Sequence, residues 1–87
     1  MLLFVENQNG NCLYTISNNC RIKFDKGTYI HKIYIKFPAT SESYEIGSYS
    51  SYDKAQEAYR DLVRYLTTDS RFRSNYFTMP DDIKNWL

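Results

Sequence analysis

Apolar and polar positions change rhythm once along this chain. Up to residue 49 they follow the two-residue period of half-buried strands, and from residue 50 they recur about every 3.6 residues. Leu2 to Glu6 forms a short apolar run closed by Asn7-Gln8-Asn9-Gly10-Asn11, whose Asn-Gly pair is a strong hairpin signal. Cys12 to Ile16 reads as a second strand. After a turn at Ser17-Asn18-Asn19, Cys20 to Phe24 alternates Arg21 and Lys23 with Ile22 and Phe24. A turn at Asp25-Lys26-Gly27-Thr28 leads into the clearest strand, Tyr29 to Phe37. There Ile33, Ile35 and Phe37 point one way and Lys32, Tyr34 and Lys36 the other. Residues 38 to 43 form a loop, and Tyr44 to Tyr49 a last strand ending near Gly47. The pattern predicts an antiparallel meander of four or five strands in one sheet.

From Ser50 the spacing predicts a helix over Ser51 to Leu66. Ser50 is placed to cap it with Asp53 at the third position, and Ala55, Ala58, Tyr59, Leu62, Val63 and Leu66 form one apolar stripe. Lys54, Glu57, Arg60, Asp61 and Arg64 occupy the other face, with Glu57/Arg60 and Asp61/Arg64 one turn apart. The two alanines let the helix axis approach the sheet closely. Beyond the helix, Arg71-Phe72-Arg73-Ser74-Asn75-Tyr76 is a polar and aromatic connector. Thr78-Met79-Pro80-Asp81 signals a second helix start, and Met79, Ile83, Trp86 and Leu87 mark one face of a short terminal helix. The expectation is an α+β single domain: a meander over 1–49, a main helix over 50–66, and a connector with a short helix over 67–87.

Composition narrows the functional classes. A chain of 87 residues supports one modest core, and a formal net charge of +1 gives no strong global field for nucleic acid or an anionic membrane. The apolar start, Met1 to Val5, breaks at Glu6 without a basic flank or cleavage site, and no apolar run is long enough to span a bilayer. A soluble protein without membrane contact, retained in the cytoplasm of the cell that makes it, is expected. Cys12 and Cys20 are too few for a disulfide framework and lack zinc-ligand spacing. A hairpin turning at 17–19 also places Cys12 near Phe24 rather than Cys20, so two reduced thiols are expected.

Catalytic chemistry finds little support. His31 is the one histidine and falls on the apolar side of its strand, which makes it a core-edge residue rather than a base. Asp81 and Asp82 sit at a predicted helix start, Glu42 and Glu45 flank a loop and a strand, and Gly10, Gly27 and Gly47 are too far apart to cradle phosphate. A non-enzymatic protein without cofactor or metal is expected. The aromatic share of 17%, mostly from nine tyrosines, is the compositional outlier and suits protein interfaces. Candidate protein contacts are Arg64, Tyr65, Arg71, Arg73, Tyr76 and Trp86, which lie off the helix stripe or in the tail. The alternative is a small RNA or single-stranded DNA binder using Arg21, Lys23, Lys32, Tyr34 and Lys36 on the wet sheet face. A small signalling nucleotide is a third ligand class, requiring a pocket of convergent donors.

The stretch Tyr44-Glu45-Ile46-Gly47-Ser48-Tyr49-Ser50-Ser51-Tyr52-Asp53-Lys54-Ala55-Gln56-Glu57-Ala58-Tyr59, with the opening meander, resembles a group of small, functionally uncharacterised proteins of phages and prophages of Gram-positive bacteria. Ile46-Gly47-Ser48-Tyr49 and Ala55 match their strand end and helix start. The resemblance covers residues 1 to 66 and leaves residues 71 to 87 as an extension. It implies a mobile-element protein acting in the host cell and, by analogy with anti-CRISPR proteins, an inhibitor that occludes a host or defence protein, as monomer or homodimer.

Overall fold

The computed structural model describes residues 3–16, 19–40, 42–68 and 74–82. Its elements are β1 (Leu3–Glu6), β2 (Leu13–Ile16), β3 (Arg21–Lys26), β4 (His31–Lys36), β5 (Ser43–Tyr49), α1 (Tyr52–Thr67) and β6 (Tyr76–Thr78). The class is α+β, with one helix packed on largely antiparallel sheet. The strands, however, divide between two three-stranded sheets, sheet A ordered β2-β1-β6 and sheet B ordered β3-β4-β5. The single meander predicted from the sequence breaks between β2 and β3. Width explains the division. Five strands at roughly 4.8 Å spacing need about 20 Å of cover, whereas one helix with its side chains is about 10 Å across. Helix α1 lies against β4 and β5. The remaining apolar face is covered by the β1–β2 hairpin, whose Tyr14 ring meets Phe37 and Tyr44 at centroid distances of 6.3 and 5.8 Å.

The hairpin forms as its Asn-Gly pair predicts. Asn7 Oδ1 accepts from the backbone N–H groups of Asn11 and Cys12, and Gly10 turns the chain at φ +73°, a conformation that an L side chain resists. Gln8 then ties the two sheets together. Its N–H donates to the Ile46 carbonyl (2.8 Å), its side-chain N–H to the Ser48 carbonyl (2.9 Å), and its side-chain oxygen accepts from the Ser48 N–H (2.9 Å). These bonds satisfy backbone groups that edge strand β5 otherwise turns to water. Cys12 and Cys20 are reduced thiols, as expected, but for a different reason: β2 pairs with β1 and not with β3, so the predicted β2–β3 hairpin does not form.

Sheet B contains a β-bulge. His31, Lys32 and Ile33 face Tyr49, Ser48 and Gly47, after which Tyr34 faces Glu45, leaving Ile46 as the extra residue. Without the bulge, continuing the register of residues 47–49 would set Ile46 opposite Tyr34 on the outer side and turn Glu45 inward. The bulge buries Ile46 and keeps Glu45 outside. Gly47 therefore lies within β5 rather than at its end, and the Tyr49 ring crosses it so closely that a Cβ would stand 2.7 Å from Tyr49 Cε2.

Helix α1 is capped by Ser51, whose side chain accepts from the Lys54 N–H, one residue later than the predicted Ser50 cap. Ser50 instead anchors the tail, its N–H donating to Asp82 Oδ2 (3.2 Å). Ala55, Ala58 and Leu62 are buried, Tyr59 and Leu66 pack at the edge, and Asp61 pairs with Arg64 as spaced (3.4 Å). The core joins these to Val5, Ile16, Ile33, Ile35, Ile46, Tyr49 and Met79. His31 is buried at the core edge, its ring edge-on to Tyr52 at 5.7 Å, as the alternation predicted. Among the described residues no helix is long and apolar enough to cross a membrane.

The tail departs most from the sequence reading. Tyr76–Thr78 adds to sheet A as a strand parallel to β1, held at its ends by Phe4 N–H to the Asn75 carbonyl (2.8 Å) and Met79 N–H to the Glu6 carbonyl (3.1 Å). Met79 is fully buried, Tyr49 donates its hydroxyl hydrogen to the Pro80 carbonyl (2.7 Å), and Lys54 Nζ donates to the Asp82 carbonyl (2.7 Å). Residues 76 to 82 thus complete the core instead of extending from it. The predicted helix start at 78–81 is strand and extended chain, and its remaining turn, with Ile83, Trp86 and Leu87, lies outside the described residues. A Met79 side chain with a buried site beside β1 outweighs a capping pattern for a helix too short to persist alone.

Candidate nucleic-acid interface

The outer face of sheet B is built by strict alternation on β3 and β4. Arg21, Lys23 and Asp25 on β3 stand opposite Lys36, Tyr34 and Lys32 on β4. All five residues of the predicted basic face, Arg21, Lys23, Lys32, Tyr34 and Lys36, thus share one surface. The bulge adds Glu45 from β5, directly across from Tyr34 on the side away from Lys23.

Charge divides this face into two zones. Lys32 Nζ lies 3.2 Å from Glu45 Oε1, and Lys32 also faces Asp25 across the β3–β4 ladder. Hydrogen bonding and attraction from Glu45 raise the Lys32 pKa, so this lysine is a fixed cation already compensated by carboxylates. At the other end Arg21 and Lys36 are direct cross-strand neighbours, and Lys23 stands beside the half-buried ring of Tyr34. Like charges placed directly opposite on a sheet repel each other, a cost that a bound anion relieves. The geometry offers three cations for a phosphate backbone and one aromatic face for a base. Lys32, by contrast, is ion-paired with Glu45.

The tail-centred set is not brought together. Arg64 and Tyr65 lie on the last turns of α1, where Tyr65 is half-buried with its ring 5.1 Å from Phe77. With Asp61, Thr68, Thr78 and Pro80, these three line a shallow groove of about 420 Å³. Tyr76 projects to the opposite side of sheet A, where a hydrogen bond to Glu6 raises its pKa above the ordinary tyrosine value. Arg71, Arg73 and Trp86 lie outside the described residues.

Packing also absorbs most of the tyrosine surplus. Tyr14 and Tyr44 cluster with Phe37, Tyr52 and Tyr59 with Phe24, and Tyr65 with Phe77, while Tyr49 is buried. Tyr34, on the wet face of the central strand, is a different case because alternation places it among cations.

Glu45 is the residue of this face that the sequence reading did not include. Its signal was present in Ile46-Gly47, since a glycine inside an apolar strand marks a bulge or a close approach, and here it marks both. Among the described residues no group of three or more His, Cys, Asp or Glu is placed to hold an ion. Comparison of the chain with family models, with curated proteins and with solved structures found no match.

Proposed function

We propose that this protein is a non-enzymatic binding module whose outer sheet-B face takes single-stranded nucleic acid. The observation that carries the reading is the cluster of Arg21, Lys23 and Lys36 around Tyr34 on one sheet face, none of the three within ion-pairing distance of a carboxylate among the described residues. A sheet face suits splayed single strands, because unpaired bases stack on an aromatic while the backbone follows the cations. Three phosphate contacts imply a modest, salt-sensitive affinity, weakening about 20-fold between about 50 and 200 mM salt. Fluorescence anisotropy with a labelled single-stranded RNA tests this. Lys23→Glu and Lys36→Glu are expected to abolish most of the binding in folded protein. Absence of binding at low salt, or binding indifferent to both substitutions, refutes it.

A second reading, occlusion of a host or defence protein as in phage-encoded inhibitors, is favoured by the groove between α1 and β6. Arg64 at its rim and the Tyr65–Phe77 pair in its wall match the Arg and aromatic content of interface hot spots. Its mark is one protein recovered from nuclease-treated host lysate and lost with Arg64→Glu, while Lys36→Glu leaves recovery intact.

A further inference from the structure

The nucleic-acid reading leaves Glu45 without a role, because a carboxylate beside the stacking ring repels phosphate. Its position is nevertheless enforced. Restoring regular pairing would turn Glu45 into the core and Ile46 out to water, so the bulge that buries Ile46 also fixes a carboxylate on the outer face across from Tyr34. There the carboxylate holds Lys32 Nζ at 3.2 Å. The pair presents one donor, the ammonium, next to two acceptors, the carboxylate oxygens.

A base lying on Tyr34 with its pairing edge toward β5 meets this row. Guanine presents the complementary order on that edge: O6 accepts, and N1–H and the 2-amino group donate. Uracil can place one carbonyl on the ammonium and its N–H on the nearer carboxylate oxygen, but its second carbonyl then opposes the other oxygen. Adenine and cytosine can place a ring-nitrogen acceptor on the ammonium and an amino donor on the nearer carboxylate oxygen, two bonds where guanine makes three. We infer that Lys32 and Glu45 form a base-reading pair that selects guanine at the Tyr34 stacking position. This rests on the proposed nucleic-acid function of the same face and adds the class of base to it.

Both groups are partly exposed, so water competes and the discrimination is moderate. A pair of hydrogen bonds to one base edge commonly separates bases by about tenfold or somewhat more. The test uses oligonucleotides of about eight nucleotides, all uracil or with one central guanine, which avoids guanine self-association and spans a typical sheet-face site. The expected result is binding of both by the native chain, with about tenfold preference for the guanine-containing strand. Glu45→Gln, close in shape and on the surface, is expected to erase the preference, so that the guanine-containing and all-uracil strands bind equally. Circular dichroism confirms that the variant is folded. Equal affinity of the native chain for both strands overturns the guanine assignment and leaves the binding function standing. An undiminished preference in Glu45→Gln overturns the role of Glu45. Failure of the native chain to bind either strand at low salt overturns the function itself.

Discussion

Replacing Gly47 by alanine adds a single methyl group, and the structure says where it lands. The new Cβ would stand 2.7 Å from Tyr49 Cε2, 3.0 Å from its hydroxyl oxygen and 3.2 Å from Cζ. A surface tyrosine would swing aside. Tyr49 is fully buried, and its hydroxyl is held 2.7 Å from the Pro80 carbonyl, so the ring gives way only by disturbing the packing of the 80–82 segment. Overpacking of this kind costs about 1 to 3 kcal/mol. Loss of the hydroxyl bond adds about 1 kcal/mol. Alanine offsets roughly 0.4 to 1 kcal/mol by restricting the unfolded chain, since Gly47 does not have positive φ. The net expectation is a destabilisation of about 1 to 3 kcal/mol, or a Tm lower by roughly 5 to 20 °C in a domain of this size. Urea unfolding measures it directly. The Tyr49→Leu background provides the control: with the ring gone, Gly47→Ala is expected to become nearly neutral, so that the double-mutant cycle returns a coupling of about 1 kcal/mol or more. A Gly47→Ala protein within about 0.5 kcal/mol of the parent, or a loss that persists unchanged in Tyr49→Leu, refutes the close-approach account.

Two further outcomes follow from the core and the tyrosines. Met79→Ala is expected to cost about 2 to 5 kcal/mol, similar to Leu62→Ala, because both side chains are fully buried; a Met79 cost within about 0.5 kcal/mol by urea unfolding contradicts the docking of the tail. In alkali the protein is expected to lose stability. Tyr14 is pushed up to about 12 by hydrogen bonding to Cys12 and by burial, Tyr44 is raised by its hydrogen bond to Glu42, Tyr49 by burial and then by Asp82 and Asp81, and Tyr76 by Glu6. Each folded-state value lies above the unfolded value near 10, so the fold favours the neutral phenol. That stability is fully present below about pH 10 and is lost as pH rises through about 12. Thermal melts at rising pH and a near-ultraviolet phenolate titration check this, and a Tm unchanged up to about pH 12 contradicts it.

Local pattern carried much of the fold. The Asn9-Gly10 turn, the alternation of β3 and β4, the burial of His31 and the Ala55-Ala58-Leu62 stripe all rest on short-range rules of turn chemistry and periodicity, and each forms where those rules put it. The basic face was legible for the same reason. Arg21, Lys23, Lys32, Tyr34 and Lys36 lie at alternate positions of two strands joined by a tight turn, so their common surface needs only the β3–β4 register. The candidate tail contacts were less legible because Tyr65 and Tyr76 looked surplus until Phe77 and Glu6 supplied neighbours from distant parts of the chain.

The types of β1 to β5 and α1, and the sides of β3 and β4, were thus written in the chain itself, because they depend on neighbours one to four residues away. Which edges meet was settled only when the chain folded on itself. The division into two sheets, the parallel addition of Tyr76–Thr78 to β1 and the burial of Met79 depend on covering an apolar surface wider than one helix. The bulge at Ile46 belongs to the same class. It lets Ile46 and Tyr49, three residues apart, both be buried, which strict alternation does not allow, and its outcome sets the charge beside the central aromatic ring.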